Sequence, residues 1–461
     1  MAMKSINPAT GELLKTYSHL SKDETTNIVE RAHLSFLNWR ETPMETRKAA
    51  ILQFADLLRQ NIEQLSQLIT LEMGKRISES EYEIEYCAKI AEFYANGAKQ
   101  FLADEPVDVD GAEAFIQYVP TGTILGVMPW NFPFYQVVRF AIPNIMAGNT
   151  ILLRHASNVP QCAEALEDLF NKSGLAAGIY NNLFIPTEFV DPIIAHQKVR
   201  GVSLTGSEAA GAAVAATAGK NIKPSVLELG GNDPFIVLKD ADLKLAIQEA
   251  VRGRLVNTGQ SCVAAKRFIV IDSIARKFTA GMKKAMASLK MGDPLDPSTD
   301  IGPLSSEAAA IRLQDQVTSA IQSGAKTALG GSRPKREGAF FNPTILTNVT
   351  PENSVYDDEL FGPVAVIHTV KTEDEAIELA NNSSFGLGGS VHSQDTDRAL
   401  AVAREINTGM VFINQSTRSQ AELPFGGTKN SGYGRELSHL GILEFVNKKL
   451  IYQKKSEDPS A

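Results

Sequence analysis

The 461-residue sequence predicts an α/β protein with two open parallel-sheet domains and a small additional β element. Three features favour this fold class. Residues 22–103 form an amphipathic helical region, in which apolar residues recur at spacings of three and four. Strand-like and helix-like segments then alternate up to residue 230, and a second alternating series begins at residue 231. Such alternation is typical of parallel strands joined by crossover helices.

The first series opens with AEAFIQYVPTGTILGVMPW, a β-rich run that Pro120-Thr121-Gly122 interrupts, which predicts a hairpin or a strand pair. It continues with strands in NTILLRHA, NNLFIP, VRGVSLTG and PSVLELGG, separated by helices at 160–172, near 189–197 and at 207–219.

The second series has strands in PFIVL, RFIVI, PVAVIHTV and GMVFIN, with helices at 240–256, 273–290, 305–323 and 373–381. The C-terminal segment ILEFVNKKLIYQKK returns to β character.

Composition excludes several classes of partner. A net charge of −8 and a pI of about 5.6 provide no basic face for nucleic acid or anionic lipid. No apolar run is long enough for a membrane span, and the first residues lack the apolar core of a signal peptide. The three cysteines are far apart and the histidines are scattered, so we expect neither disulfides nor a metal site. These features predict a cytoplasmic protein.

One cysteine stands in a polar setting. Cys262 ends NTGQSC, whose small residues would let a substrate approach a thiolate. A small buried residue after a turn is the alternative interpretation, and the loop alone leaves both open.

Two further segments combine a polar side chain with a constrained backbone. Glu228 ends an apolar strand before Gly230-Gly231, where a carboxylate with an elevated pKa could act as a general base. Asn131, within VMPWNFPF, could donate to a developing oxyanion, although it could equally be a satisfied turn amide.

The turn in SLTGSEAAG leads from a strand through Gly206-Ser207 into an Ala-rich helix, which is a suitable pyrophosphate site. The chain has no GxGxxG fingerprint.

Taken together and in order, these segments resemble the NAD(P)-dependent aldehyde dehydrogenases. The resemblance covers nearly the whole chain and rests on these motifs: NPATGE, PWNFP, LTGS, LELGG, GQSC, ELFGP, INTGMVFIN and PFGGTKNSGYGRE. It implies an aldehyde-dehydrogenase-like fold. The implied dinucleotide-binding domain comprises 1–104 and 120–230, and the catalytic domain comprises 231–430. An oligomerisation hairpin and C-terminal strand, 105–119 and 431–461, imply a homodimer or homotetramer.

The resemblance also implies the chemistry. Cys262 is then the nucleophile that forms a thiohemiacetal with the aldehyde, and Asn131 holds its oxyanion. Loss of hydride to the nicotinamide leaves a thioester, which Glu228 hydrolyses by activating water. The cofactor-binding residues implied around this centre are Pro129, Trp130, Gly206, Ser207, Leu229, Gly230, Glu359 and Phe361.

The adenosine end of the cofactor site predicts NADP, with NAD as the alternative. NAD-preferring members usually read Lys-x-x-Glu where this chain has Arg154 and Ser157. A glutamate would repel a 2′-phosphate, whereas Ser157 can hydrogen-bond it, with Arg154 and His155 supplying positive charge.

The substrate indicated is a small aldehyde that carries a carboxylate. Arg139 and Ser419 match carboxylate-binding positions of the succinate-semialdehyde branch of the family. A second arginine is usual where Val256 stands; Arg254 should point elsewhere, and Arg418 is a candidate substitute.

Other interpretations remain open. The chain could act on glutarate semialdehyde, an aliphatic aldehyde or an aminoaldehyde, for which Glu422 is the nearby acidic candidate. A non-catalytic scaffold of the same fold and a thiol hydrolase are more remote alternatives.

Overall fold

The structure, a computed structural model, describes residues 2–455, so 456–461 of the predicted C-terminal segment lie outside the described residues. The helices are α1 (Lys22–Trp39), α2 (Met44–Gln60), α3 (Ile62–Met73), α4 (Ile77–Phe101), α5 (Tyr135–Ala147), α6 (Pro160–Lys172), α7 (Val190–Ala195), α8 (Glu208–Lys220), α9 (Leu243–Leu255), α10 (Asp272–Ala287), α11 (Glu307–Gln322), α12 (Glu373–Asn381), α13 (Thr396–Glu405) and α14 (Ser438–Gly441).

The strands are β1 (Met3–Ile6), β2 (Leu13–Tyr17), β3 (Glu105–Val107), β4 (Ala112–Pro120), β5 (Thr123–Met128), β6 (Thr150–His155), β7 (Tyr180–Asn182), β8 (Val199–Thr205), β9 (Ser225–Glu228), β10 (Pro234–Val237), β11 (Arg267–Ile271), β12 (Lys326–Leu329), β13 (Thr344–Thr347), β14 (Val364–Val370), β15 (Phe385–Gly386), β16 (Ser390–His392), β17 (Phe412–Ile413), β18 (Thr428–Lys429), β19 (Gly432–Tyr433) and β20 (Val446–Lys454).

The first large sheet has the order β19-β9-β8-β5-β6-β7, and all its pairings except that of β19 are parallel. The chain leaves β5 towards β6 and β7 and then returns to β8 on the other side of β5. This reversal opens a crevice beyond the carboxyl ends of β5 and β8, where open α/β sheets bind ligands.

The second large sheet has the order β12-β13-β14-β11-β10-β16-β17, and only the edge strand β12 is antiparallel. Every residue of β10 and β11 is buried, as expected for central strands covered by helices on both faces. The predicted α/β class with parallel sheets is therefore confirmed.

The Pro120–Gly122 break is not a hairpin. β4 pairs with β3 and β20 in a separate antiparallel sheet, whereas β5 pairs with β6 and β8. The break is thus the point where the chain passes from one sheet to another.

The predicted C-terminal segment is also divided between two sheets. β19, which we assigned to the oligomerisation element, pairs with β9 in the first large sheet. Gly432 makes this approach possible, because its φ is +106° and a Cβ there would lie 2.0 Å from the Leu227 carbonyl oxygen.

Most predicted helices lie within a few residues of their expected bounds. The sequence did not predict α13 or the short α14, and it did not predict α5. All thirteen of its residues are buried, so it has no polar face to reveal a helical period, and it contains Pro143. No helix among residues 2–455 is long and apolar enough to cross a membrane. Within the same range, no group of three or more His, Cys, Asp or Glu side chains could hold a metal ion.

Candidate active site

Cys262, the predicted nucleophile, lies in a sharply turned loop that follows α9, residues 257–262, which we call the nucleophile loop. Asn257, Thr258 and Gly259 in this loop have φ values of 50°, 54° and 78°. The buried Arg254 guanidinium donates from Nη2 to the Gly259 carbonyl oxygen at 2.7 Å. Arg254 therefore stabilises the loop, and it lines neither of the two cavities at Cys262.

The Lys266 ammonium group holds the other side of this loop. Its buried Nζ donates to the carbonyl oxygens of Ser261 at 3.0 Å and Cys262 at 2.7 Å. It also forms an ion pair with Glu359 Oε1 at 3.0 Å, and the Gly231 N–H donates to the same oxygen at 3.2 Å. Lys266 thus joins the nucleophile loop to the carboxylate predicted to hold the nicotinamide ribose.

The two glycines of LELGG are required by close contacts. A Cβ at Gly230 would lie 2.8 Å from Glu359 Oε2, and one at Gly231 would lie 2.6 Å from the Cys262 carbonyl oxygen. Any larger residue would therefore displace the nucleophile loop or Glu359.

The charge state of Cys262 is set mainly by burial. Burial raises the pKa of its thiol to about 12, although the side chain is partly exposed to the cavities described below. Arg139 and Lys266 lower this pKa, while Glu359 and Glu228 raise it. The electropositive setting expected for a thiolate is therefore outweighed, and the sulfur is a thiol at neutral pH.

Two cavities meet at Cys262. The cofactor-side cavity, of about 370 Å³, contains these predicted residues: Pro129, Trp130, Asn131, Gly206, Ser207, Leu229, Gly230, Glu359 and Phe361. The substrate-side cavity, of about 220 Å³, contains Arg139, Arg418 and Ser419. The structure thus brings most of the predicted site residues together around one sulfur atom.

Asn131 lies in the cofactor-side cavity directly after β5. Its Nδ2 donates to the Gln260 carbonyl oxygen at 3.1 Å, and the Asn257 side chain donates to the Asn131 carbonyl oxygen at 2.8 Å. The amide is buried and held against the nucleophile loop, with one N–H bond left for another acceptor.

Glu228 ends β9 but lines neither cavity. Both carboxylate oxygens are buried without a hydrogen-bond partner among the described residues, and Oε1 lies close to Gly426. Burial raises the pKa of Glu228 well above its usual range, with Arg139 lowering it and Glu436 raising it. The side chain must rotate before it can reach a group bound to Cys262.

At the predicted adenosine end, His155 is not available to a phosphate. Its Nε2 bonds to the Pro133 carbonyl oxygen at 2.8 Å and its Nδ1 accepts from the Ala156 N–H at 2.8 Å. Burial lowers the pKa of His155 to about 4, so the ring is neutral. The prediction that His155 supplies positive charge is therefore wrong.

Arg154 and Ser157 also line neither cavity, but both are more accessible than His155. Ser157 is exposed, and Arg154 is only partly buried. The Arg154 guanidinium donates from Nη2 to Thr187 Oγ1 at 3.1 Å. Thr187, which the sequence analysis did not identify, therefore orients the arginine.

Arg139 is buried in an extended polar network. It forms an ion pair with Glu436, donates from Nη1 to Tyr135 Oη at 3.1 Å and donates from Nη2 to Thr205 Oγ1 at 3.3 Å. Tyr135 Oη donates in turn to Ser419 Oγ at 2.8 Å. The two predicted carboxylate ligands are thus connected through Tyr135.

Sequence reasoning missed Tyr135, Glu436 and Gln136. Within residues 2–455, Gln136 and Cys262 are the two residues that line both cavities. The signal available was the polar pair Gln136 and Arg139 inside the otherwise apolar run FPFYQVVRFAIP. Gln and Arg side chains are mostly exposed in proteins and are seldom fully buried unless they bind a partner.

Comparison with known proteins agrees with this arrangement. The family model described as the aldehyde dehydrogenase family matches residues 1–451. The chain is 49% identical to a succinate-semialdehyde dehydrogenase [NADP(+)] of Deinococcus radiodurans, covering 97% of this chain and 94% of that protein. A protein of the same name from Mycobacterium leprae is 46% identical, covering 98% and 100%.

Among solved structures, the succinic semialdehyde dehydrogenase of Streptococcus pyogenes in complex with NADP+ superposes with a TM-score of 0.97. It is 44% identical, with 98% of this chain and 100% of that chain covered. The family model and these relatives cover almost the whole chain, including both sheets and the loop that carries Cys262. The chain therefore belongs to the aldehyde dehydrogenase family.

Proposed function

We propose that this chain oxidises succinate semialdehyde to succinate with NADP. Relatives that match almost the whole chain bear this name. The observation that carries the proposal is the connected set Arg139, Tyr135 and Ser419, in a cavity that opens on Cys262. A buried arginine with two hydroxyl groups suits a carboxylate, which accepts several charge-assisted hydrogen bonds.

The proposed chemistry begins at Cys262. The thiol gives up its proton to solvent water, and the thiolate sulfur bonds to the aldehyde carbon, while Asn131 Nδ2 and the Cys262 N–H donate to the resulting oxyanion. When bound, NADP supplies the oxidised nicotinamide that accepts the hydride. Glu228 then takes a proton from the water that hydrolyses the thioester.

The residues of the cofactor-side cavity fit NADP. Ser207 is the N-cap of α8, whose first N–H groups face the crevice beyond β8, as a pyrophosphate requires. Glu359 Oε1 is fixed by Lys266, and Oε2 accepts no hydrogen bond from residues 2–455, so it is available to a ribose hydroxyl. Ser157 and Arg154 would meet the 2′-phosphate.

We also propose that the sheet β3-β4-β20 contacts a second copy of this chain. β3 and β20 are its two edge strands, and Leu450 and Tyr452 on β20 are 61% and 57% exposed. Open edges with exposed apolar side chains are suited to pairing between subunits. The choice between dimer and tetramer, the domain limits and the cytoplasmic location stay predictions.

A substrate panel tests the proposal. Initial rates of NADPH or NADH formation are measured with succinate semialdehyde, glutarate semialdehyde, butanal and 4-aminobutanal. Succinate semialdehyde with NADP should give the highest kcat/KM, and Cys262→Ala should abolish turnover. Preference for 4-aminobutanal would point to Glu422 and overturn the carboxylate assignment, and inactivity with every aldehyde would favour a scaffold role.

A further inference from the structure

Gln136 has a position that the proposed chemistry does not yet use. It lies on α5, one turn before Arg139, and is 1% exposed. Its Oε1 is buried and has no hydrogen-bond partner among the described residues. Among the described residues, only Gln136 and Cys262 line both cavities, so we expect a group bound to the sulfur to come within reach of this carboxamide.

The unpartnered atom indicates what Gln136 binds. A buried acceptor without a donor is unfavourable, so this oxygen is suited to a ligand that brings an O–H or N–H bond. Succinate semialdehyde at neutral pH has only acceptors, and so do its oxyanion and its thioester. A water molecule supplies both the donor for Oε1 and an acceptor for the amide nitrogen.

Glu228 does not hold this water by itself in the conformation observed. Its carboxylate lies beside Gly426, and Glu228 lines neither cavity. A second group is therefore needed to keep the water over the acyl carbon until Glu228 rotates towards it.

Building on the function proposed above, we infer that Gln136 positions the water that hydrolyses the thioester on Cys262. In this step the water oxygen bonds to the acyl carbon, and one of its protons passes to Glu228. Its other O–H donates to Gln136 Oε1. The C–S bond then breaks, and the sulfur leaves as a thiolate, which recovers the proton from Glu228. The new carboxyl group loses the second water proton to solvent, and succinate is released.

The test compares Gln136→Met, which keeps the length of the side chain and removes the amide, with native enzyme. Tyr86→Phe is the matched control, because Tyr86 also has a buried, unpartnered polar atom but lines only the substrate-side cavity of the two. Stopped-flow absorbance measures the NADPH formed in the first turnover separately from the NADPH formed in the steady state. Hydrolysis of p-nitrophenyl acetate without cofactor measures deacylation of the same sulfur independently.

Gln136→Met should keep the rate of the first turnover and slow the steady state by about 100-fold, because a misplaced nucleophile costs about that much. An acyl group should accumulate on Cys262 in both assays, and hydroxylamine, which does not need the water site, should release it. Tyr86→Phe should show no accumulation. If Gln136→Met folds poorly, as judged by circular dichroism, Gln136→Leu replaces it.

Two results would overturn the inference. An equal slowing of the first turnover, with ester hydrolysis unaffected, would mean that Gln136 contacts the nicotinamide carboxamide. Unchanged kinetics in both assays would mean that the amide has no role in the reaction. Different variants test the proposed function itself. It would be contradicted if Cys262→Ala retained turnover or if Glu228→Gln did not accumulate the acyl group.

Discussion

Replacement of Arg139 by glutamine tests how the chain recognises its substrate. The guanidinium is fully buried, and its partners Glu436, Tyr135 and Thr205 leave N–H bonds that can still reach a carboxylate. A hydrogen bond to a charged group contributes about 1.5–3 kcal/mol. Loss of about 2 kcal/mol should lower kcat/KM for succinate semialdehyde about 30-fold, since 1.4 kcal/mol corresponds to tenfold.

The substitution also leaves Glu436 unpaired in the interior, which costs about 3–5 kcal/mol of stability. Arg139→Gln/Glu436→Gln removes both charges and should recover most of that stability without recovering substrate affinity. The assay compares kcat/KM for succinate semialdehyde and for butanal, which has no carboxylate. An equal fall for both aldehydes would refute the reasoning, because it would mean that Arg139 only supports the fold.

Three further predictions concern charge. Ser157→Glu should lower the ratio of kcat/KM for NADP over NAD by at least about tenfold, because a carboxylate repels the 2′-phosphate; an unchanged ratio would contradict the assignment. The steady-state rate should rise with pH through the elevated pKa of Glu228, since only the ionised carboxylate accepts a proton. Arg139 lowers this pKa, so Arg139→Gln should move the rise in rate to higher pH. Lys266→Met should raise the pKa of Cys262 further and slow its alkylation by iodoacetamide at pH 8, whereas the exposed Lys290→Met should not.

The sequence was sufficient where local chemistry determines the structure. Alternating strands and helices predicted the parallel sheets. The strand end at Glu228, the turn at Asn131 and the small residues before Cys262 marked three candidates, and the family resemblance implied their roles in the reaction. These residues are recognisable because each combines a polar side chain with a strand end or a tight turn. Their geometry in the structure places Asn131 beside Cys262, as the motifs suggested.

The remaining features depend on contacts between segments distant in sequence. His155 looked like a cation, but the Pro133 carbonyl and burial keep it neutral. Glu436 pairs with Arg139 from almost 300 residues away, and no local pattern announces this ion pair. The pKa of Cys262 likewise reflects burial by the whole surrounding fold rather than the polarity of its own loop.

The central claim is that oxidation proceeds through an acyl group on Cys262 that Glu228 helps to hydrolyse. The most direct measurement is mass spectrometry of peptides from the Glu228→Gln enzyme, quenched in acid after mixing with succinate semialdehyde and NADP. We predict a succinyl group on Cys262 in near-stoichiometric amount, together with one NADPH per active site. NADPH formation without acylation of Cys262, or acylation of a different residue, would contradict the account.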